Sequence, residues 1–251
     1  MSWNVRRTLI GLALAGLLGA AALPFAIYYI GLAIGPAHPI PARHTVPRLL
    51  GEAIWARASG GRASGLTPIT PLSVMRLVAC VANEDFWDTT PGDARRVAAC
   101  RGNMPALEGL EYFANLHMRD ADYTPGFRSG LSRFSTTVWV THAWSKTEFL
   151  NALAERAEFS IGVRGVEHAA RALFDRLASE LNLPQAALTA AMIGDRRVDP
   201  WCNPEAAANM RRRVLERMLE DGAIDEAAYQ SGNVAELGLA APPATHTPCE
   251  G

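Results

Sequence analysis

The chain is short of several things that would decide its class at once. Its four cysteines include no CxxC pair, and its six histidines have no ligand-like spacing. A structural zinc centre is therefore not indicated, and no metal ligand is assigned. Neither charge sign dominates: 24 Lys and Arg stand against 25 Asp and Glu, which leaves no electrostatic footprint for nucleic acid as a partner. Strand-like runs are scarce. FSTTVWV at 134–140 is the exception, and its continuation into THAWSKTEF fits a helix as well. No internal repeat stands out.

One further absence is local. From Thr8 to Gly35 no residue is charged, over 28 positions. A bilayer core needs roughly 20 apolar helical residues, and Arg6 and Arg7 precede the run. A signal-peptide core is only about 7–15 residues, so the length favours an uncleaved anchor, with Pro24 a tolerated kink. The positive-inside rule places residues 1–7 in the cytoplasm and everything after Gly35 outside it. The expected setting is a membrane crossed once, with the main domain on the side away from the cytoplasm. Residues 36–70 hold Pro, Gly, Ala and Arg with weak periodicity and read as a juxtamembrane connector, with a short helix over PRLLGEAIWARA. From Arg43 to Arg76 five arginines face one acid, Glu52, a composition suited to solvent or to lipid phosphates. In an oxidising compartment Cys80, Cys100, Cys202 and Cys249 permit up to two disulfides in three pairings.

Beyond residue 70 the chain is helical by pattern. Residues 71–84, 106–118, 145–159, 163–181, 183–193 and 203–222 all place apolar side chains at three- and four-residue spacing. Ser145 with Glu148 three positions on is a capping box, Asn203 can cap before Pro204, and Gly222 can stop the last helix. The expected domain spans 71–235, and the tail 236–251 reads as loose. Glu84 and Asp85 stand where the apolar stretch LVACVAN ends; they are either solvated acids at a helix end or a catalytic acid–base pair, since an apolar setting raises the cost of ionising a carboxylate.

Two stretches carry a resemblance. The first is ITPLSVMRLVACVANEDFWD. The second, at 144–225, contains Ser145-Lys146, Phe149-Leu150, Glu158-Phe159, Gly162-Val163, Gly165-Val166-Glu167, Ala169-Ala170 and Leu173-Phe174, then NPEAAANMRRRVLERM. Both resemble the family 51 glycosyltransferases, the peptidoglycan transglycosylases found as monofunctional enzymes and as the first domain of class A penicillin-binding proteins. The resemblance implies an all-α fold, a lysozyme-like helical domain preceded by one transmembrane helix. It implies polymerisation of the lipid-linked disaccharide lipid II with release of undecaprenyl pyrophosphate. On that reading Glu84 is the general base and Asp85 its neighbouring acid. Arg133, Arg164, Glu167 and Trp87 are the candidate substrate-binding residues.

The chain also departs from the family pattern. Phe86-Trp87 follow Glu84-Asp85 directly, without the two-residue spacer, and Thr89 or Thr90 stands where a His is expected. The Gly-Gly-Ser-Thr motif is echoed only by GLSRFSTTVWV, and Arg133 stands where a second carboxylate is expected. Arg133 and Arg164 can hold an anionic ligand or pair with Glu155 and Glu158. Three readings stay open: a glycosyltransferase with a remodelled donor side, an inactive relative that binds lipid precursor or another cell-wall synthesis protein, and a hydrolase in which a lone Glu acts as acid on glycan. Membrane lipids are partners in the first two. No cofactor is assigned, and a divalent cation beside the leaving pyrophosphate stays an option.

Overall fold

The computed structural model describes residues 3–59, 65–74, 106–195, 198–243, 246 and 249, with the side chains of 3–10 and of 12–15, 17 and 20 excepted. Glu84, Asp85, Trp87, Cys80 and Cys100 lie outside the described residues. In order, the described helices are α1 (Trp3–Ile34), α2 (Arg48–Ser59), α3 (Leu107–Asp120), α4 (Phe127–Ala143), α5 (Lys146–Arg156), α6 (Val166–Phe174), α7 (Leu183–Ala191), α8 (Pro204–Glu220) and α9 (Glu226–Val234). Among the described residues there is no β-strand, only an isolated bridge between Glu158 and Arg164. The expected helix 71–84 is described, and helical, only over 71–74. The chain divides into two compact units, one of residues 1–38, 68–104 and 118–142, the other of 39–67, 105–117 and 143–251.

In the first unit α1 and α4 meet through small residues. A Cβ built on Gly31 would lie 2.1 Å from Ser135 Oγ and 2.7 Å from the Leu131 carbonyl, and one on Gly35 would lie 2.1 Å from Ser132 Oγ. Only glycine lets the two backbones approach this closely. Tyr123 donates to the Ile34 carbonyl, and His38 stacks on Trp139 at 4.5 Å. The β-branched and hydroxylated run 134–140 is helical, not a strand. Its hydroxyls explain how: Ser135, Thr137 and Thr141 donate to the carbonyls of Leu131, Arg133 and Val138, one turn back, at 3.1, 3.0 and 2.7 Å. Thr141 Oγ1 also accepts from the Ile69 amide at 2.9 Å, and His142 bonds the Ile69 carbonyl at 3.0 Å, a tethering role. Among the described residues no helix is long and apolar enough to cross a membrane. The side chains of α1 that are described include the exposed Leu18, Leu23, Phe25, Tyr29 and Ile30.

The second unit is built around α7, whose residues Pro184 to Ala191 are all buried. A helix without a polar face belongs at a core centre, and α7 packs against both α2 and α8. Four of those eight residues are alanine, which keeps the neighbouring helices close. Within the stretch 36–70, α2 supplies part of this core: Leu50, Ala53, Ile54, Trp55 and Ala56 are at most 1% exposed. The α2 pattern hid this because Arg48, Glu52 and Arg57 interrupt its apolar spacing. Lys146 Nζ lies 4.8 Å over the Trp55 ring and 3.0 Å from Glu52 Oε2.

The expected caps are present. Ser145 and Glu148 form the box that starts α5; Asn203 Oδ1 accepts from Ala206, and Gly222 takes φ +71° just past α8. The expected helix 163–181 is shorter. Asp175 turns left-handed at φ 54°, ends α6, and a 3₁₀ turn at 178–180 comes next. The tail read as loose is tied down. Trp201 Nε1 donates to the Ala240 carbonyl at 3.0 Å, the Ala240 amide donates to Leu173 O at 2.8 Å, and a disulfide joins Cys202 to Cys249. Removing the buried indole of α2 separates core from connector: Trp55→Ala should lower the unfolding free energy by about 3–5 kcal/mol in chemical denaturation, whereas a connector position would shift it by about 0.5 kcal/mol or less.

Candidate functional site

In the second unit α2 and α3 converge at Gly109, where an added Cβ would lie 2.5 Å from Ala58 Cβ. This close approach opens a cleft of about 240 Å³ lined by Ile54, Arg57, Glu108, Glu111, Tyr112, Asn115, Leu153 and Gly194. Helix α3 makes both sides of this arrangement. Leu110, Phe113, Ala114 and Leu116 are buried, with Phe113 edge-on to Trp144 at 5.4 Å and to Phe149 at 6.0 Å. Glu108, Glu111, Tyr112 and Asn115 form the opposite stripe, at the i, i+3, i+4, i+7 spacing of one helix face. That stripe was the available sequence signal for the cleft, and attention to the apolar face alone passes over it.

Charge is concentrated at one end of the cleft. Arg57 Nη1 is 2.6 Å from Glu108 Oε1, and Arg217 Nη1, from α8, donates to the Arg57 carbonyl at 3.3 Å. Arg57 Nε is buried and makes no hydrogen bond among the described residues. Burial first, and then the neighbouring Arg57 charge, push the Arg217 guanidinium below its ordinary pKa. The Arg57 guanidinium, two carboxylates and a carboxamide line the cleft and offer donors and acceptors to a hydroxyl-rich or anionic ligand. Tyr112 has a different task. Its hydroxyl accepts from the Glu158 amide at 3.1 Å and donates to the Glu158 carbonyl at 3.5 Å, so the ring fixes the wall. Gly194 donates to the same carbonyl at 3.2 Å, takes φ +70°, and has the Tyr112 ring where a Cβ would sit, at 2.7 Å.

Of the residues singled out from sequence, Arg133, Arg164 and Glu167 are described. Glu84, Asp85 and Trp87 are outside the described residues. Arg133 is exposed on α4, in the first unit. Arg164 and Glu167 belong to the second unit, and neither lines the cleft. Arg164 is exposed and donates from Nε to the Arg156 carbonyl at 3.2 Å, across the turn closed by its backbone bridge to Glu158. Glu167 Oε2 accepts from the Ala178 amide at 3.0 Å and its Oε1 is 3.5 Å from Arg171, so it ties α6 to the 3₁₀ turn. Within the Arg211–Arg213 run, Arg211 is buried and donates to the carbonyls of Asn233 and Ala235 at 2.6 and 3.2 Å. It staples α8 to the end of α9.

The cleft wall depends on glycine at 194. Gly194→Ala combines left-handed strain with a clash against Tyr112 and should cost about 1–3 kcal/mol. Gly222→Ala, at φ +71° with open space around it, should cost less when both are measured by denaturant titration.

Residues 120–219 match the family model described as transglycosylase. Over 178 residues, 67% of this chain, the sequence is 26% identical to a biosynthetic peptidoglycan transglycosylase of Yersinia pseudotuberculosis, covering 73% of that protein. A protein of the same name from Salmonella arizonae is 41% identical over 68 residues, 27% of this chain and 26% of its own. Penicillin-binding protein 1A of Mycolicibacterium smegmatis is 35% identical over 85 residues, 34% of this chain, and the match spans only 11% of that much longer relative. The helices that carry the match include α4 to α8. The stretch 120–219 is therefore similar to the transglycosylase domains of the family 51 type.

Proposed function

We propose that this protein is a membrane-anchored peptidoglycan glycosyltransferase that extends glycan from lipid II. The observation that carries the reading is the transglycosylase match over 120–219. It coincides with the block Ser145 to Phe174, folded as a capped helix, a glycine turn and a second helix. In the reaction a sugar 4-hydroxyl attacks the anomeric carbon of a lipid-linked chain. The new glycosidic C–O bond forms as the anomeric bond to the pyrophosphate oxygen breaks. The bonding pair leaves with undecaprenyl pyrophosphate, and the hydroxyl proton goes to the Glu84 carboxylate, with Asp85 beside it.

Both substrates are held by lipid, so the enzyme must work at the bilayer. The uncharged run 8–35, preceded by Arg6 and Arg7, supports a single-pass anchor there. The Cys202–Cys249 disulfide supports a periplasmic location for the residues beyond the anchor. Cations are needed where the pyrophosphate leaves. Arg133 and Arg164 are the candidates, both on the surface, with Glu167 as support for the fold around Arg164 and Trp87 as a stacking platform for sugar.

A second reading is favoured by one observation. Arg133, a cation on the exposed face of α4, stands where a second carboxylate is expected, which suits a protein that binds lipid precursor, or a cell-wall synthesis partner, without turning it over. Gel analysis of lipid II polymerisation in reconstituted vesicles separates the two. The intact protein should make glycan chains, and Glu84→Gln should lower the rate by about 10²–10⁴-fold. Equal product from both removes Glu84 as the base. No product from the intact protein, together with saturable lipid II binding weakened by Arg133→Glu, establishes the second reading.

A further inference from the structure

The fold gathers four potential metal ligands that the sequence keeps apart. Asp199 and Cys202 sit in the turn before α8, while His246 and Cys249 come from the tail, Cys249 being 47 positions beyond Cys202. His246 Nε2 is 2.8 Å from Asp199 Oδ2 and 3.9 Å from Cys202 Sγ. The ligand atoms of Asp199, Cys202 and His246 all lie within 4.8 Å of one another, and among the described residues this is the one such group. With Zn–N and Zn–O near 2.0–2.1 Å and Zn–S near 2.3 Å, the edges of a tetrahedral zinc site are about 3.3–3.8 Å. The two measured edges bracket that range.

The surroundings suit an ion as well. Asp199 Oδ1 accepts from the amides of Trp201 and Cys202, at 3.0 Å each, which orients the carboxylate and leaves Oδ2 aimed at His246. The Trp201 ring stands edge-on to His246 at 5.1 Å. The His246 and Asp199 side chains are only 7% and 14% exposed, a partly dry pocket. What denies an ion its ligands is the disulfide, since the sulfurs of Cys202 and Cys249 are joined to each other and carry no charge.

We propose that reduction of the Cys202–Cys249 disulfide converts this clasp into a zinc-class metal site, with Cys202, Cys249, His246 and Asp199 as its ligands. The electrons come from a dithiol reductant. The S–S bond breaks, the two cysteines take up the reductant's thiol hydrogens, and the reductant closes to its own disulfide. Zn²⁺ then displaces two thiol protons and binds two thiolate sulfurs, the neutral imidazole nitrogen and one carboxylate oxygen. The tail thus stays joined to the turn before α8 in both states, covalently when oxidised and through the ion when reduced. Only the reduced, metal-free chain releases it.

The test uses the full chain carrying Cys80→Ser and Cys100→Ser, so that no other thiols compete. After phosphine reduction, titration with Co²⁺ should give thiolate-to-cobalt charge-transfer absorption and intense tetrahedral d–d bands that saturate at a single equivalent and disappear on adding Zn²⁺. The oxidised chain should give neither. His246→Ala should weaken binding by about tenfold or more, and His246→Cys, which keeps a ligand, should restore it, with circular dichroism checking that each variant is folded. Absence of the charge-transfer band in the reduced chain overturns the proposal. So does a band of the same affinity in His246→Ala.

Discussion

Burial of α7 on every side is the constraint on which the second unit depends. Leu188, Thr189 and the alanines of this helix are fully enclosed, and that enclosure requires α2 and α8 as walls. Seating α2 there aims Arg57 outward at its last turn. Seating α8 there brings Arg217 beneath the Arg57 carbonyl. The polar cleft is therefore a consequence of an apolar packing problem. Gln185 shows how tightly it is solved: its side chain closes the N-terminal capping box of α7 and donates to the Leu237 carbonyl at 2.9 Å, so a buried amide leaves its main polar atoms satisfied.

A second junction organises the cleft wall. The Glu158 carbonyl accepts from Tyr112 Oη and from the Gly194 amide, while the Glu158 amide donates to Tyr112. Three segments distant in the chain are thus held at one peptide group. The short turn 157–165, closed by the bonds Phe159 N to Val163 O and Gly165 N to Ala157 O, supplies the rigidity. Its Gly165 at φ +83° faces the Glu155 carbonyl, where an added Cβ would lie 3.1 Å away. The Gly-containing motif that carries the family resemblance is here a backbone requirement.

Much of the fold from Ser145 onward was legible because local signals agree there. A capping Ser with Glu three residues on, Asn before Pro, and glycine after an amphipathic run each report a helix end through hydrogen bonds made within a few residues. Elsewhere the local signal was missing or misleading. Arg48, Glu52 and Arg57 interrupt the apolar spacing of α2, so its pattern reads as a spacer; α4 is rich in β-branched residues, so it reads as strand or helix until its hydroxyls find the carbonyls one turn back. The tail reads as loose because its Pro and Thr content is that of a loop, and its anchors, Asp199, Trp201 and Cys202, lie some forty residues earlier.

The amino-acid sequence by itself determined the helical class, the caps, the uncharged N-terminal run and the family resemblance, because each depends on neighbours a few positions apart. Only the tertiary structure decided which residues meet. Arg57 reaches Glu108 across 51 positions and Arg217 reaches Arg57 across 160. The meeting of Arg57 with the acids of α3, and that of Asp199 and Cys202 with His246 and Cys249, carry no mark in local spacing. They are brought together by helix packing, whose driving force is the removal of apolar surface from water and is indifferent to the polar groups it juxtaposes.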